Sequence, residues 1–393
     1  MPRAYFSPLG IGYGHASRSL NLAMKLKKEG FSIFFSAYGD ASSYLTGVEG
    51  VEVVHCGEEM VWKQKPDGSP DLWGTLKSLS ELRKFLHHVK TEKENIETAS
   101  PDVVVSDSRI STLIAAQYLG VPSVVVLNQP KLLLSPLMRR NAPPDDLSES
   151  EGYSVLSTVV EKLLNMAITR FWGLSQASII ADFPPPFSIS KYHTSDLPKP
   201  LMDRIVFSGP LIEPNCKPDR KEDVILIMIS GPGAERKSLA NVILKLLNDI
   251  PEDLRDYEFI VSLGEPSNSG DEEIWGNVRI YKWLPDKWSV LERARLVVSR
   301  AGHTTIAEAL MCGKPLLLIP VPGQTEKMEN ARSIEEMGLG RMVRQSEVEV
   351  RFFEVLRSLL KPEYEERVMK FRERFKDWNF LDRAAGIIES VLY

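Results

Sequence analysis

Cysteine is scarce: three occur in 393 residues, at positions 56, 216 and 312, and no two form a CxxC pair. Such thinly spread thiols argue against a zinc site and for a reducing compartment. Long apolar runs are missing too. None approaches the ~18 residues of a membrane-spanning helix, so any membrane contact is expected to be peripheral. The amino-terminal MPRAYFSPLGIGYGH has no apolar core of a secretory leader and reads straight into a strand. Nor is there excess positive charge. Lys and Arg number 48 against 53 Asp and Glu, and a net charge of −5 offers no case for a nucleic-acid partner. No D-x-D motif occurs. What is present is ordinary for a soluble globular protein: 43% apolar and 26% charged residues. The length exceeds a single compact core, so two domains are expected.

The most informative stretch is Ser299 to Ala331, SRAGHTTIAEALMCGKPLLLIPVPGQTEKMENA. ARLVVS (294–299) is a short buried strand leading into it. Gly302 is expected to turn the chain into a helix from Thr304 to Met311, which Gly313-Lys314-Pro315 stops. PLLLIPVP is a second strand before a polar loop. A glycine turn at a helix N-terminus offers free backbone N–H groups and the positive end of the helix dipole, a ready anion site. Glu308 lies one turn deeper than Thr304 on the same face. There a carboxylate can accept two ribose hydroxyls from a nucleotide whose phosphates rest on the turn. Glu326, Lys327 and Asn330 follow a proline-flanked strand end, where α/β ligands lie.

These residues resemble the donor-binding motif of UDP-sugar glycosyltransferases with the GT-B fold, most closely family 28, which contains the bacterial lipid-II N-acetylglucosaminyltransferase. That family's pattern is roughly [C/S]-R-[S/A]-G-x-x-T-x-x-E, then a strand, then an acidic-or-Gln/Gln/x/x/N-A segment. Here it reads Ser299, Arg300, Ala301, Gly302, Thr305 and Glu308, then Glu326-Lys327-Met328-Glu329-Asn330-Ala331. The resemblance implies an α/β protein of two facing, doubly wound Rossmann-like domains. The first would bind the acceptor (1–183), a Pro/Ser/Lys-rich linker would follow (184–204), and the second would bind the donor (205–375). A last helix (376–393) would cross back onto the first domain by analogy with many such enzymes.

The first domain opens with strand, glycine-rich loop (Gly10, Gly12, Gly14) and a helix from Ala16 to Lys28 with Leu20, Ala23, Met24 and Leu26 as its buried stripe. No acidic residue ends the next strand, Tyr38-Gly39-Asp40 being nearest, so NAD is discounted. In the resembled enzymes this loop carries a catalytic histidine, here His15. A lone loop histidine is usually a solvated neighbour of a helix start. Flanking glycines, which let backbone approach a ligand at the carboxyl end of a parallel sheet, favour the catalytic reading. Pro101-Asp102-Val103-Val104-Val105-Ser106-Asp107 is a buried strand ending in a carboxylate. Plant and animal UDP-glycosyltransferases have a similar P-D-x-x-x-x-D whose last Asp pairs with the loop histidine, and Asp107 matches it. Asp107 is equally suited to cap the helix starting near Arg109. The adjacent His87-His88 pair is read as solvated. Trp62 and Trp73 are read evenly as acceptor contacts or core cover. Leu132-Leu133-Leu134 with Arg139-Arg140 reads either as a lipid contact or as a lid.

In the second half, FSGPLIEP resembles the entry strand of the donor domain, and VILIMIS, a buried strand, enters a second glycine loop, Ser230, Gly231, Pro232, Gly233 and Ala234. Its backbone N–H groups are suited to the donor pyrophosphate, with Pro232 removing one donor. It is not a P-loop, lacking Lys-Ser/Thr after the last glycine. Trp283 stands where related enzymes seat the base.

The resemblance therefore implies an inverting, metal-independent transfer from a nucleotide sugar, UDP-linked, to an acceptor hydroxyl. His15 and Asp107 would be catalytic. Gly12, Gly14, Ser230, Gly231, Gly233, Ala234, Trp283, Arg300, Gly302, His303, Thr304, Thr305, Glu308, Glu326, Lys327 and Asn330 would form the donor site. Neither metal nor cofactor is expected, since the nucleotide sugar is a substrate. The acceptor is unassigned; a lipid or lipid-linked saccharide is among those open, with action in the cytoplasm and peripheral contact at the inner membrane face. Lys327 replaces the customary Gln and suits an acidic donor sugar. Two alternatives stay open: a non-hydrolysing UDP-sugar epimerase and a nucleotide-sugar-binding subunit that needs a partner.

Overall fold

The computed structural model describes residues 1–57, 63–64, 70–71, 78–133, 155–217, 222–230, 233–265 and 272–392. Trp62, Trp73, Leu134, Arg139, Arg140, Gly231 and Pro232 lie outside them. The chain forms two compact units. The first runs to Glu213 and includes the chain again from Asn379, while the second continues from Pro214 to Trp378.

The first unit is built on a seven-stranded sheet. Its strands are β1 (Arg3–Pro8), β2 (Ser32–Ala37), β3 (Glu52–His55), β6 (Val103–Asp107), β7 (Ser123–Leu127), β8 (Ala177–Ile180) and β9 (Ile205–Phe207); β4 (Lys63–Gln64) and β5 (Pro70–Asp71) make a separate small ribbon. The order across the sheet is β3-β2-β1-β6-β7-β8-β9, and every pairing in it is parallel. Alternation explains why both faces are covered. Ala4, Phe6, Val103, Val105, Val124 and Val126 point to one side, against Leu22, Ala23 and Leu26 of the first helix (Tyr13–Lys28). Tyr5 and Val104 point to the other, against Ile96, Ala115 and Ala116 of the Leu79–Ala99 and Ile110–Leu119 helices. Strands buried on both faces must be apolar throughout, which is why VVV at 103–105 does not alternate. Each such side chain contributes roughly 1.5–3 kcal/mol on burial.

Ile205–Phe207, expected to open the second domain, is instead the edge strand of this first sheet, paired with β8. A three-residue apolar run carries no mark of which sheet will accept it. The Phe380–Ser390 helix also belongs to this unit. Ala384, Ala385 and Ile388 join the core beside Leu22 and Leu211, and Phe380 meets Phe183 edge to face at 5.8 Å.

The second unit repeats the plan. Its strands are β10 (Val224–Met228), β11 (Glu258–Ser262), β12 (Glu272–Trp275), β13 (Val278–Tyr281), β14 (Ala294–Ser299), β15 (Leu316–Leu318) and β16 (Gly340–Met342), ordered β12-β13-β11-β10-β14-β15-β16. All pair in parallel except the edge hairpin β12–β13. Ile225, Ile227, Phe259, Leu296, Val298 and Leu317 pack on Leu239, Ile243, Phe352 and Leu356. Two doubly wound, Rossmann-like domains are the result.

Each sheet has a switch point, where the strand order reverses and α/β ligands bind outside the carboxyl ends. In the first it lies between β1 and β6, with Pro8 level with Asp107. In the second it lies between β10 and β14, with Met228 level with Ser299.

Two readings of isolated residues change. Cys216 and Cys312, taken as separate reduced thiols, are joined as a disulfide with Cα atoms 5.4 Å apart, although 96 positions separate them in sequence. His88, read as solvated, is fully buried and meets the Tyr38 ring edge to face at 5.6 Å. Among the described residues no helix is long and apolar enough to cross a membrane.

Candidate active site

At the first switch point the chain leaves β1, passes Gly10 and Gly12, and enters a helix. Gly12 is its N-cap with φ 70°, a left-handed conformation that favours glycine. Its N–H donates to Asp40 Oδ2 at 2.8 Å, while Asp40 N donates to Gly10 O at 2.9 Å. Asp40, discounted as a ribose ligand, thus clamps the glycine turn. The helix begins at Tyr13, so Gly14 and His15, expected in a loop, occupy its first turn. The buried face also differs from the expected stripe. Leu22 joins Ala23 and Leu26 in the core, Leu20 packs against it half-buried, Met24 is half-buried, and two polar residues, Arg18 and Ser19, are buried with them.

Those polar residues surround one carboxylate. His15 Nδ1 lies 2.8 Å from Asp107 Oδ1. Arg18 Nε donates to Asp107 Oδ2 at 2.6 Å, and Arg18 Nη2 donates to Oδ1. Ser19 Oγ donates to Oδ2 and Ser108 Oγ to Oδ1, each at 3.2 Å. Arg18 Nη2 is also 3.0 Å from His15 Nδ1. Asp107 does not cap the next helix. Arg109 is the N-cap residue there, and Ser106 Oγ accepts the Arg109 N–H at 3.2 Å. Burial alone would push the Asp107 carboxyl up, but the charges of Arg18 and His15, with their hydrogen bonds, hold it well below the ordinary aspartate range. The His15 side chain keeps 21% exposure against 1% for Asp107, so the pair has a wet end and a dry end. Sequence reading missed Arg18 and Ser19. Their signal was the i, i+3 and i, i+4 spacing from His15 on one helix face.

At the second switch point, β14 ends at Ser299 and the turn follows. The left-handed residue is Ala301, φ 58°, rather than Gly302, which is an extended N-cap for the His303–Met311 helix. A buried non-glycine residue in that conformation is held by its surroundings: Asn330 Nδ2 donates to Ala301 O at 3.2 Å. Asn330, expected near the sugar, is fully buried beneath the turn. Arg300 is likewise fully buried, its Nη1 donating to Gln345 Oε1 at 2.6 Å, and Gln345 Nε2 reaches Ser238 Oγ at 3.4 Å. Gln345 therefore links the 299–302 turn to the Gly233–Leu247 helix that follows the other glycine loop. Of that loop, Ser230 is exposed at the end of β10, and Gly233 and Ala234 begin the helix.

His303 is buried, and Thr304 and Thr305 are half-buried in the first helical turn. Glu308, one turn deeper, is 3% exposed and accepts from Lys287 Nζ at 2.6 Å. Burial pushes its carboxyl up, and Lys287 opposes that shift. Lys287, unmarked in the sequence reading, opens the helix after Trp283, which is half-buried beyond β13. Glu326 and Lys327, expected in a loop, stand half-buried in the first turn of the Thr325–Glu336 helix.

Two doubly wound, Rossmann-like domains in one chain define the GT-B fold. Residues 226–379 match the glycosyltransferase family 28 C-terminal domain. The chain is 28% identical over 364 residues to an uncharacterized glycosyltransferase of Methanosarcina acetivorans, spanning 90% of this chain and 89% of that protein. It is 24% identical over 197 residues to the UDP-N-acetylglucosamine–N-acetylmuramyl-(pentapeptide) pyrophosphoryl-undecaprenol N-acetylglucosamine transferase of Thermotoga petrophila, covering 50% and 56% of the two chains. The calicheamicin glycosyltransferase CalG4 superposes with a TM-score of 0.66 at 20% identity, over 100% of this chain and 98% of the other. The protein is a glycosyltransferase with the GT-B fold, and its carboxyl-terminal half is similar to the family 28 C-terminal domain.

Proposed function

We propose that the protein transfers a sugar, with inversion and without a metal, from a UDP-linked donor to an acceptor hydroxyl. The observation that carries this is the 2.8 Å contact between His15 Nδ1 and Asp107 Oδ1. A carboxylate on Nδ1 selects the tautomer in which Nε2 is bare and basic. Nε2 takes the proton of the acceptor hydroxyl as its oxygen attacks the anomeric carbon. The bond from that carbon to the diphosphate oxygen breaks, the electron pair leaves with the diphosphate, and the proton stays on His15. Asp107 stabilises the resulting imidazolium.

The diphosphate rests on the backbone N–H groups of the 302–305 helix start and of the loop from Ser230, with the helix dipole opposing its charge. Glu308 accepts the ribose hydroxyls. Arg300 and Asn330 shape the turn from beneath, while Glu326 and Lys327 face the sugar. The pyrophosphoryl-undecaprenol in the Thermotoga relative's name supports a lipid-linked acceptor here.

The test is thermal stabilisation of the purified chain by nucleotides and nucleotide sugars, since a ligand of the native state raises the melting temperature. UDP should stabilise, and one UDP-sugar should stabilise more. A response confined to another nucleotide would replace the donor class. Product configuration read by NMR decides inversion against retention.

A further inference from the structure

We propose that Arg18 is a positioning residue for the base: its guanidinium fork fixes the Asp107 carboxylate against His15 Nδ1 and offsets that carboxylate's charge, so that the imidazole gives up its proton readily after each transfer. This rests on the reading of His15 as the base.

The geometry is specific. Nε and Nη2 of Arg18 engage Oδ2 and Oδ1 of Asp107, the two-point pairing that only a planar guanidinium makes with a carboxylate. Ser19 and Ser108 donate to the same two oxygens. The carboxylate therefore cannot rotate, and Oδ1 stays in line with His15. Arg18 is 4% exposed, so solvent screens this arrangement little. Nη2 also lies 3.0 Å from His15 Nδ1, which places a fixed positive charge beside the ring that must become positive. Among the described residues, the charged groups in contact with the ring are Arg18 on its own helix and Asp107 at the end of β6, while Asp40 on the neighbouring helix holds Gly12, three positions before His15.

The two neighbours act in opposite directions. Asp107 alone beside His15 would favour the imidazolium and trap the proton, whereas Asp107 paired with Arg18 keeps its orienting bond with much of its charge offset. A general base must be unprotonated at working pH and must shed its proton between turnovers. One arginine three residues along the helix serves both needs without touching substrate.

The experiment is a pH titration of ring signals in the chain labelled with 15N-histidine, with His15 assigned by the loss of its signals in His15→Gln. The wild type should show one tautomer, protonated on Nδ1. In Arg18→Met the titration midpoint should rise by about one pH unit or more, the usual size for removing a close charge. Arg18→Lys keeps charge without the fork, so it should titrate near the wild type but show a mixture of tautomers. Unchanged midpoint in the Met variant, with circular dichroism like the wild type, overturns the proposal. Should the Met variant not fold, a single wild-type tautomer in the Lys variant overturns it. The base reading fails separately: transfer that survives His15→Gln removes the base and leaves the titration result standing.

Discussion

Asp107 Oδ1 and His15 Nδ1 meet at 2.8 Å although 92 positions lie between them in sequence. The contact exists because β1 and β6 are neighbours in the sheet. Pro8 is level with Asp107, and Leu9 N donates to Asp107 O at 3.0 Å. The helix that follows β1 therefore starts directly over the end of β6.

His15→Ala should leave the fold intact and lower kcat by about 10²- to 10⁴-fold, the usual contribution of a general base. UDP affinity should stay within about twofold, because Nε2 acts on the acceptor. Turnover and nucleotide titration on the same preparation check both halves. Equal losses in the two would mean that His15 serves the donor instead.

Asp107→Asn should destabilise the first domain by about 3–5 kcal/mol at pH 7, because it strands the buried Arg18 charge. A carboxyl held low in the folded state contributes stability that is whole above the ordinary aspartate value of about 3.9 and is lost as pH falls through the folded value. The gap between wild type and variant should therefore narrow in acid. Urea unfolding at pH 7 and near pH 3 measures it, and a constant gap would argue against the ion pair.

Glu308→Gln should weaken donor binding about 10- to 100-fold, the loss expected for charge-assisted hydrogen bonds. The free protein should respond in the opposite sense. Burial raises the Glu308 carboxyl, and a group raised in the folded state loses its stabilising contribution as pH climbs through its folded value. The variant should thus melt higher than wild type at pH 8, and by less at pH 5. Nucleotide titration and melting curves at both pH values are sufficient.

Lys327→Gln should reduce use of uronic-acid donors by about tenfold while sparing neutral ones, since a lysine in the first helical turn is placed to meet a sugar carboxylate. Equal effects on both donor types would remove the acidic-sugar reading.

Cys312→Ser should lower stability by about 2–4 kcal/mol under oxidising conditions, because the bridge closes a long loop. Thiol titration of the denatured, unreduced chain should give one free thiol, Cys56, and three after reduction.

The chemistry-bearing residues were legible as types and spacings. A strand, a turn and a helix from 294 to 311 follow from apolar runs and punctuation, and Glu308 follows Thr304 by one helical turn. His15 stood out after the glycine-rich loop that follows β1, and Asp107 at the end of an apolar strand, where a parallel sheet exposes its ligand edge. Local rules reach that far because strand and helix periodicity are properties of neighbouring residues. They do not reach partners. Nothing near Arg18 in sequence says that its guanidinium will close on a carboxylate 89 positions away. Nor does anything near Lys287 announce Glu308, near Arg300 announce Gln345, or near Cys216 announce Cys312. The same limit displaced Ile205–Phe207 into the first sheet, since a short apolar strand pairs with whichever edge its preceding chain delivers it to. Sequence by itself determined the elements, their glycine turns and the residue types at the strand ends. Only the tertiary structure decided which charge faces which, because that depends on strand order, and strand order is set by long-range packing.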